Sequence, residues 1–133
     1  MTNQESRKDE KIKSFTDLIA WKEGHKLVLM IYNITKRFPK EEQFGLISQM
    51  RRAIVSTTSN IAEGFSRNSY KEKLYFYTMS IGSLTEIQNQ LIIVRDLNYI
   101  NQKNFDQIAE QTIKTSKVVN GLIKKTKFII HNS

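Results

Sequence analysis

Five polar side chains recur every three or four residues along one stretch of the chain: Gln49, Arg52, Ser56, Asn60 and Glu63. On a helix this spacing places them on one side. The row runs beside an apolar stripe, so a carboxylate there must be paired and hydrogen-bonded to be tolerated. Two interpretations stay open: a hydrogen-bonded seam against another helix, which we favour, and the lining of a binding groove.

Residues that would support catalysis are scarce. Glu63 and Glu86 are the carboxylates that we expect nearest to apolar stripes, and paired glutamates in bundles build di-iron sites together with Glu-x-x-His motifs. That motif does not occur, and the histidines are His25 and His131 alone. Gly-x-Ser-x-Gly and glycine-rich phosphate loops are also missing, and there is no cysteine. We therefore predict no catalytic residue, no metal site, no cofactor, no small-molecule substrate and a protein that is not an enzyme.

The composition favours a basic, cytoplasmic protein. The 133 residues carry a formal net charge of +8, which suits polyanionic partners such as RNA or DNA as well as simple solubility. No apolar run approaches the roughly 20 residues of a membrane span, and the first residues lack the apolar core of a signal peptide. We expect no membrane partner.

Helical periodicity dominates the chain, which has one proline and five glycines. Ser69 with Glu72 has the spacing of a capping box, and Gly64 has the character of a left-handed helix end. The four predicted helices run over about 17–37, 41–64, 70–97 and 102–127. Short connections make such helices antiparallel neighbours, so the prediction is all-α: an up-and-down four-helix bundle over residues 14–128, between a disordered leader (1–13) and a short tail (129–133).

Two predicted helices carry more apolar surface than a single bundle needs. Leu29 and Met30 stand outside the core stripe of the first helix, and Tyr75, Met79 and Ile93 form a second row on the third. Apolar patches of this kind usually mark interfaces, although scattered exposed apolar residues are the alternative. We predict a homo-oligomer with these five residues at its interface.

A lysine row on the fourth predicted helix is the main argument for nucleic acid. Lys114, Lys117, Lys124 and Lys125 share the side opposite to the buried stripe, and no acid lies between Lys114 and Lys127. Such a row can contact phosphates without reading bases, while a merely solvated surface is the alternative. We predict these four lysines as nucleic-acid-binding residues.

The string Asn60-Ile61-Ala62-Glu63-Gly64, after Gln49-Met50-Arg51-Arg52-Ala53, resembles proteins encoded in intervening sequences of bacterial 23S rRNA genes. The resemblance covers about residues 15–125. It implies a four-helix bundle that assembles as a homopentamer and binds rRNA or other nucleic acid. It also implies a distant relation to the accessory protein of diversity-generating retroelements. The family motif positions, to which no catalytic role attaches, are Gln49, Arg52, Ser56, Asn60, Glu63, Gly64, Ser83 and Glu86.

Two functional hypotheses follow. The first is an oligomeric protein without enzymatic activity that binds RNA through a basic surface. The second is an oligomeric adaptor or assembly protein, of the retroelement accessory type, that binds another protein. Salt-sensitive retention of RNA distinguishes the first from the second.

Overall fold

A computed structural model describes residues 11–133 of the chain. Two short 3-10 turns, Phe15–Asp17 and Lys40–Glu42, accompany four helices, and residues 11–133 contain no strand. The helices are α1 (Ile19–Thr35), α2 (Leu46–Ser66), α3 (Tyr70–Asp96) and α4 (Gln102–His131). The predicted leader at residues 1–13 lies largely outside the described residues.

The helices form a ring in which each packs against its neighbours in sequence, and α4 returns to α1. Helices α2 and α3 are antiparallel. Ser56 on α2 contacts Ser83 on α3, and Gly64, eight residues further along α2, faces Tyr77, which lies earlier on α3. Within residues 11–133, α1 and α3 lie across the bundle from each other, as do α2 and α4, with no Cα atoms of either pair within 8 Å. The predicted all-α, antiparallel four-helix bundle is therefore confirmed.

Two apolar clusters make up the core. The larger one occupies the middle and the end near the α1–α2 connection, with Leu27, Met50 and Ile87 fully buried. The smaller one joins the start of α1, the end of α2 and the second half of α4. On α1 the side chain of Leu27 is fully buried, whereas that of Tyr32 is 37% exposed.

Side-chain caps fix where α3 and α4 begin. Ser69 Oγ accepts from Glu72 N at 3.3 Å, as the predicted capping box requires of its serine. Asn101 Oδ1 accepts from Asn104 N at 2.8 Å. Both helix starts therefore match the sequence prediction.

The start of α2 differs from the prediction. The helix begins at Leu46 rather than near Glu41, after the 3-10 turn and the residues Gln43-Phe44-Gly45. Glu42 Oε1 accepts from Leu46 N at 3.2 Å and so caps the helix from four residues upstream. A Cβ at Gly45 would lie 2.7 Å from that carboxylate oxygen, so glycine leaves room for this cap.

The predicted helix ends at Gly64 and Lys127 are wrong. Gly64 has no positive φ, and α2 continues to Ser66. The reason for glycine there is packing, since a Cβ would lie 2.6 Å from Tyr77 Cε1 on α3. α4 runs to His131, about one turn further than predicted, and its half-buried Ile129 and Ile130 continue the helical spacing from buried Thr126.

Replacing Gly64 with alanine should destabilise the fold. The added methyl group overlaps the ring of Tyr77, and relieving such an overlap typically costs about 1–3 kcal/mol. We expect urea unfolding, followed by circular dichroism, to show this loss in the free energy of unfolding.

Gly82→Ala is the matched control on α3. Gly82 is exposed, and a Cβ there meets nothing within 4 Å. Alanine should stabilise this helix position by about 0.5–1 kcal/mol. Equal stability changes at the two positions would contradict the packing role of Gly64.

Candidate interaction surfaces

Part of the predicted polar row forms a seam between α2 and α3. Ser56 Oγ and Ser83 Oγ are 2.9 Å apart. The Asn60 side-chain amide donates to the carbonyl of Ser56 at 2.9 Å and to its hydroxyl at 3.1 Å. One member of the motif on α3 and two on α2 therefore share a single hydrogen-bonded network.

Glu63 behaves differently from the prediction. It is exposed rather than buried beside the core, and its carboxylate lies 3.6 Å from Arg67 Nη2 of the same chain. Arg67 is the residue directly after the end of α2, four residues and so about one helical turn after Glu63. The guanidinium also lies 4.7 Å from the ring centroid of Phe76.

Glu86 is likewise on the surface rather than in the interior. Its carboxylate accepts from Gln90 Nε2 at 3.2 Å, and Gln90 itself is only 4% exposed. Gln90 Oε1 is buried without a hydrogen-bond partner among the described residues. Gln49 and Arg52 are exposed on the outer side of α2, so the eight motif residues form a seam only in part.

The buried carboxylate of the bundle is Glu23 on α1, which sequence reasoning missed. Glu23 is 7% exposed, and its Oε1 accepts from Gln111 Nε2 on α4 at 3.0 Å. The same amide nitrogen donates to the Glu23 carbonyl, also at 3.0 Å. Lys26 Nζ lies 3.1 Å and Lys114 Nζ 3.6 Å from the carboxylate.

These contacts lower the pKa of Glu23. The hydrogen bond from Gln111 has the largest effect, and the two lysines add to it, while removal from water acts in the opposite direction. The signal was present in the sequence: Glu23 lies three residues after buried Ala20 and four before buried Leu27, which is the spacing of a core position.

The four lysines of the α4 row are exposed as predicted, but their charges are not equally compensated by nearby acids. Lys114, Lys117, Lys124 and Lys125 are all exposed on α4. Lys114 is the member that faces Glu23, so part of its charge is compensated. Within residues 11–133, Lys117, Lys124 and Lys125 have no acidic partner within 4 Å. The second half of the row therefore offers the uncompensated charge.

Positive charge accumulates at one end of the bundle, where α1 and α3 begin and α2 and α4 end. We call this the basic end. Its cationic residues among those described are Lys11, Lys13, Lys22, Arg67, Lys71, Lys73, Lys124, Lys125 and Lys127. The acids there are Asp17, Glu63 and Glu72. Asp17 accepts from the backbone amides of Lys13 and Ser14, which lower its pKa, and so caps the first turn.

Most of the predicted interface residues are exposed in the single chain. Leu29 is 58%, Tyr75 60%, Met79 47% and Ile93 38% exposed. Met30 is half-buried and packs against the larger core cluster. The apolar row on α3 thus faces outward along its length.

An unpredicted groove crosses the outer side of α2 near its start. It is a shallow depression of about 600 Å³ that is open to solvent, and its lining includes Tyr32, Phe44, Arg51, Arg52 and Val55. Phe44 is 93% exposed, more than any other large apolar residue described. The Arg51 guanidinium carbon lies 4.6 Å from the centroid of the Tyr32 ring, and Arg51 Nε donates to Thr35 Oγ1 at 2.9 Å.

Among residues 11–133, no group of three or more His, Cys, Asp or Glu is placed to hold a metal ion. His25 is exposed, and its ring stacks on Trp21 with ring centroids 4.7 Å apart. No helix in the described part of the chain has the length and apolar character to cross a membrane.

The fold and surfaces define a basic, all-α four-helix bundle with a polar seam between α2 and α3. The model of the 23S rRNA-intervening sequence protein family matches residues 16–121. The chain belongs to this family, as its motif strings indicated.

The fold is shared with a protein of unknown function from the S23 ribosomal protein family of Bacteroides thetaiotaomicron VPI-5482, whose crystal structure is known at 1.70 Å resolution. The two agree with a TM-score of 0.74 and 19% sequence identity, over 80% of this chain and 96% of the other. At that identity the likeness concerns the fold alone. A search of the curated proteins finds no match.

Glu23 should make the stability of the bundle depend on pH. Because its pKa is lowered in the folded chain, its stabilisation is complete above the ordinary pKa of a glutamate, about 4.3, and is lost as the pH falls through the folded value. Glu23→Gln should cost about 1–2 kcal/mol at pH 7 and progressively less below about pH 4.

Urea unfolding at a series of pH values checks this, with Glu110→Gln as control because Glu110 is exposed on α4. The control should follow the parent protein throughout. A Glu23→Gln deficit that persists unchanged at low pH would contradict the role of the charged carboxylate.

Proposed function

We propose that this protein is a homo-oligomer without enzymatic activity, a pentamer, that binds structured RNA such as rRNA in the bacterial cytoplasm. The concentration of uncompensated lysines at the basic end is the observation that carries the RNA part of the proposal. The exposed apolar row on α3 carries the oligomer part.

Phosphate contacts are the role that suits the basic end. Its lysines come from α1, α3 and α4 and from the residues before α1, so they cover a surface rather than one helix. Flexible lysines on such a surface neutralise phosphates of any sequence and release counterions. The α4 row extends this surface from the basic end towards the middle of the bundle. In that row Lys117, Lys124 and Lys125 contribute more than Lys114, because Lys114 lies beside the buried Glu23 carboxylate.

Self-association would display this charge several times in one particle. Tyr75, Met79 and Ile93 lie along one side of α3, and Leu29 is exposed on α1. Burying such side chains against another copy removes apolar surface from water at about 25 cal/mol per Å². The family match to proteins of rRNA intervening sequences supports the RNA partner.

The same exposed apolar residues favour the second candidate, an adaptor that binds another protein. Its distinguishing property is capture of a protein partner without salt-sensitive binding of RNA. A protein of that kind would lose its partner when the α3 row is made polar and would tolerate substitution of the lysines.

Replacing Lys117, Lys124 and Lys125 with glutamate should weaken binding of a structured rRNA fragment at least about tenfold. It should also reduce the slope of log affinity against log salt by roughly 2–3, since each lost phosphate contact contributes about 0.9. Fluorescence anisotropy with a labelled fragment at several salt concentrations measures both quantities.

The matched control is Lys36, Arg37 and Lys103 replaced with glutamate. It makes the same change in net charge with exposed residues of the opposite end of the bundle. It should retain most of the affinity for a fully paired fragment. Equal losses in both triple variants would show a general charge effect and remove the basic end as the binding surface.

Tyr75→Lys combined with Met79→Lys should break the oligomer. Both side chains are exposed in the single chain, so the fold should survive while two charges enter the proposed interface. Light scattering should change from a multiple of 15.6 kDa, five-fold for a pentamer, towards the mass of one chain.

Ile113→Lys is the control for this experiment, since Ile113 is 53% exposed on α4 and outside the proposed interface. It should leave the mass unchanged. A parent protein that already has the mass of one chain would end the oligomer proposal.

A further inference from the structure

We propose that the groove on α2 binds an unpaired nucleobase of single-stranded RNA, stacked on Phe44 and flanked by the Arg51 and Arg52 guanidinium groups. This inference rests on the proposed RNA-binding function and adds a second contact, with a different RNA chemistry, away from the basic end. The residues that form it come from α1, the turn before α2, and the first half of α2.

Phe44 is presented to solvent by an ordered turn. Glu42 holds the turn from both sides, since its Oε1 accepts from Leu46 N and its Oε2 accepts from the Tyr99 hydroxyl at 2.9 Å. Gly45 N donates to the Glu42 carbonyl at 3.0 Å, so the backbone on both sides of the ring is fixed. A ring that is 93% exposed on such a turn has its faces free for stacking.

The guanidinium groups supply planar cations beside that ring. Arg51 is held over the Tyr32 ring and donates to Thr35 and to the Tyr32 carbonyl, so its plane is fixed within the groove wall. Arg52 is exposed, and no described carboxylate lies within 4 Å of it. Aromatic rings and arginine planes together are the surface on which splayed bases stack.

Charge complementarity favours RNA over an apolar protein segment. The lining residues include two arginines, several serines and a glutamine but no acid. The nearby Glu42 carboxylate is not part of the lining, because it accepts hydrogen bonds from Leu46 N and from the Tyr99 hydroxyl. The groove is open to solvent, and its volume of about 600 Å³ leaves room for one base laid against the ring of Phe44. The bases of a duplex are already stacked on one another, so only unpaired bases can enter.

The test compares a short oligouridine with a blunt RNA duplex of equal phosphate number, by fluorescence anisotropy. Phe44→Ala should weaken oligouridine binding at least about fivefold, the factor that one base–aromatic stack supplies, and leave duplex binding within about twofold. Phe44→Trp should retain binding, because the larger ring also stacks. Ile92→Ala, which removes an exposed apolar side chain from α3 outside both the groove and the basic end, should bind both probes as the parent does.

Three other results would contradict the inference or the function on which it rests. If Phe44→Ala binds oligouridine as tightly as Ile92→Ala does, the groove does not stack a base. If Phe44→Ala lowers the mass in light scattering and keeps its RNA affinity, the groove is an interface between protein chains and the inference is overturned. A parent protein that binds neither probe would instead refute the proposed RNA-binding function itself.

Discussion

The close approach of helices at two glycines is the constraint on which the rest of the structure depends. A Cβ at Gly24 would lie 2.9 Å from Thr58 Cγ2, and a Cβ at Gly64 would lie 2.6 Å from Tyr77 Cε1. Without side chains at these positions, α2 packs tightly against α1 and against α3 at the same end of the bundle. The smaller core cluster fills the interior of the bundle at that end. The basic end is the solvent-exposed surface around it.

Burial of Glu23 next to Gly24 follows from the same packing. A carboxylate so enclosed needs donors, and α4 supplies them through Gln111 and Lys114. This links the core to the surface, because one lysine of the α4 row takes part in an internal contact while its neighbours stay free. The row is therefore not a uniform strip of charge, and its uncompensated charge lies towards the end of α4.

The two proposed RNA surfaces divide the work that RNA recognition usually requires. Lysines at the basic end suit contacts with phosphates, and such contacts fix the position of the RNA. The groove near the start of α2 suits an unpaired base, so it would distinguish single strands from duplexes. They lie at opposite ends of α2. One RNA with a helix beside an unpaired stretch could therefore contact both surfaces of one chain.

The sequence by itself determined the fold class, three of the four helix starts to within about two residues and the family, because periodicity, caps and motif strings are local properties. It also identified the Ser56, Asn60 and Ser83 seam residues and the exposure of Leu29, Tyr75, Met79 and Ile93. Only the tertiary structure decided that Glu23, and not Glu63 or Glu86, is the buried carboxylate, and that Gly64 serves packing rather than a helix end. The exposure of the Phe44 ring and the groove that it lines could also not be predicted from the sequence. Spacing within one helix makes Glu23 a possible core position, but burial and close approach depend on which helix lies opposite, and a single helix does not contain that information.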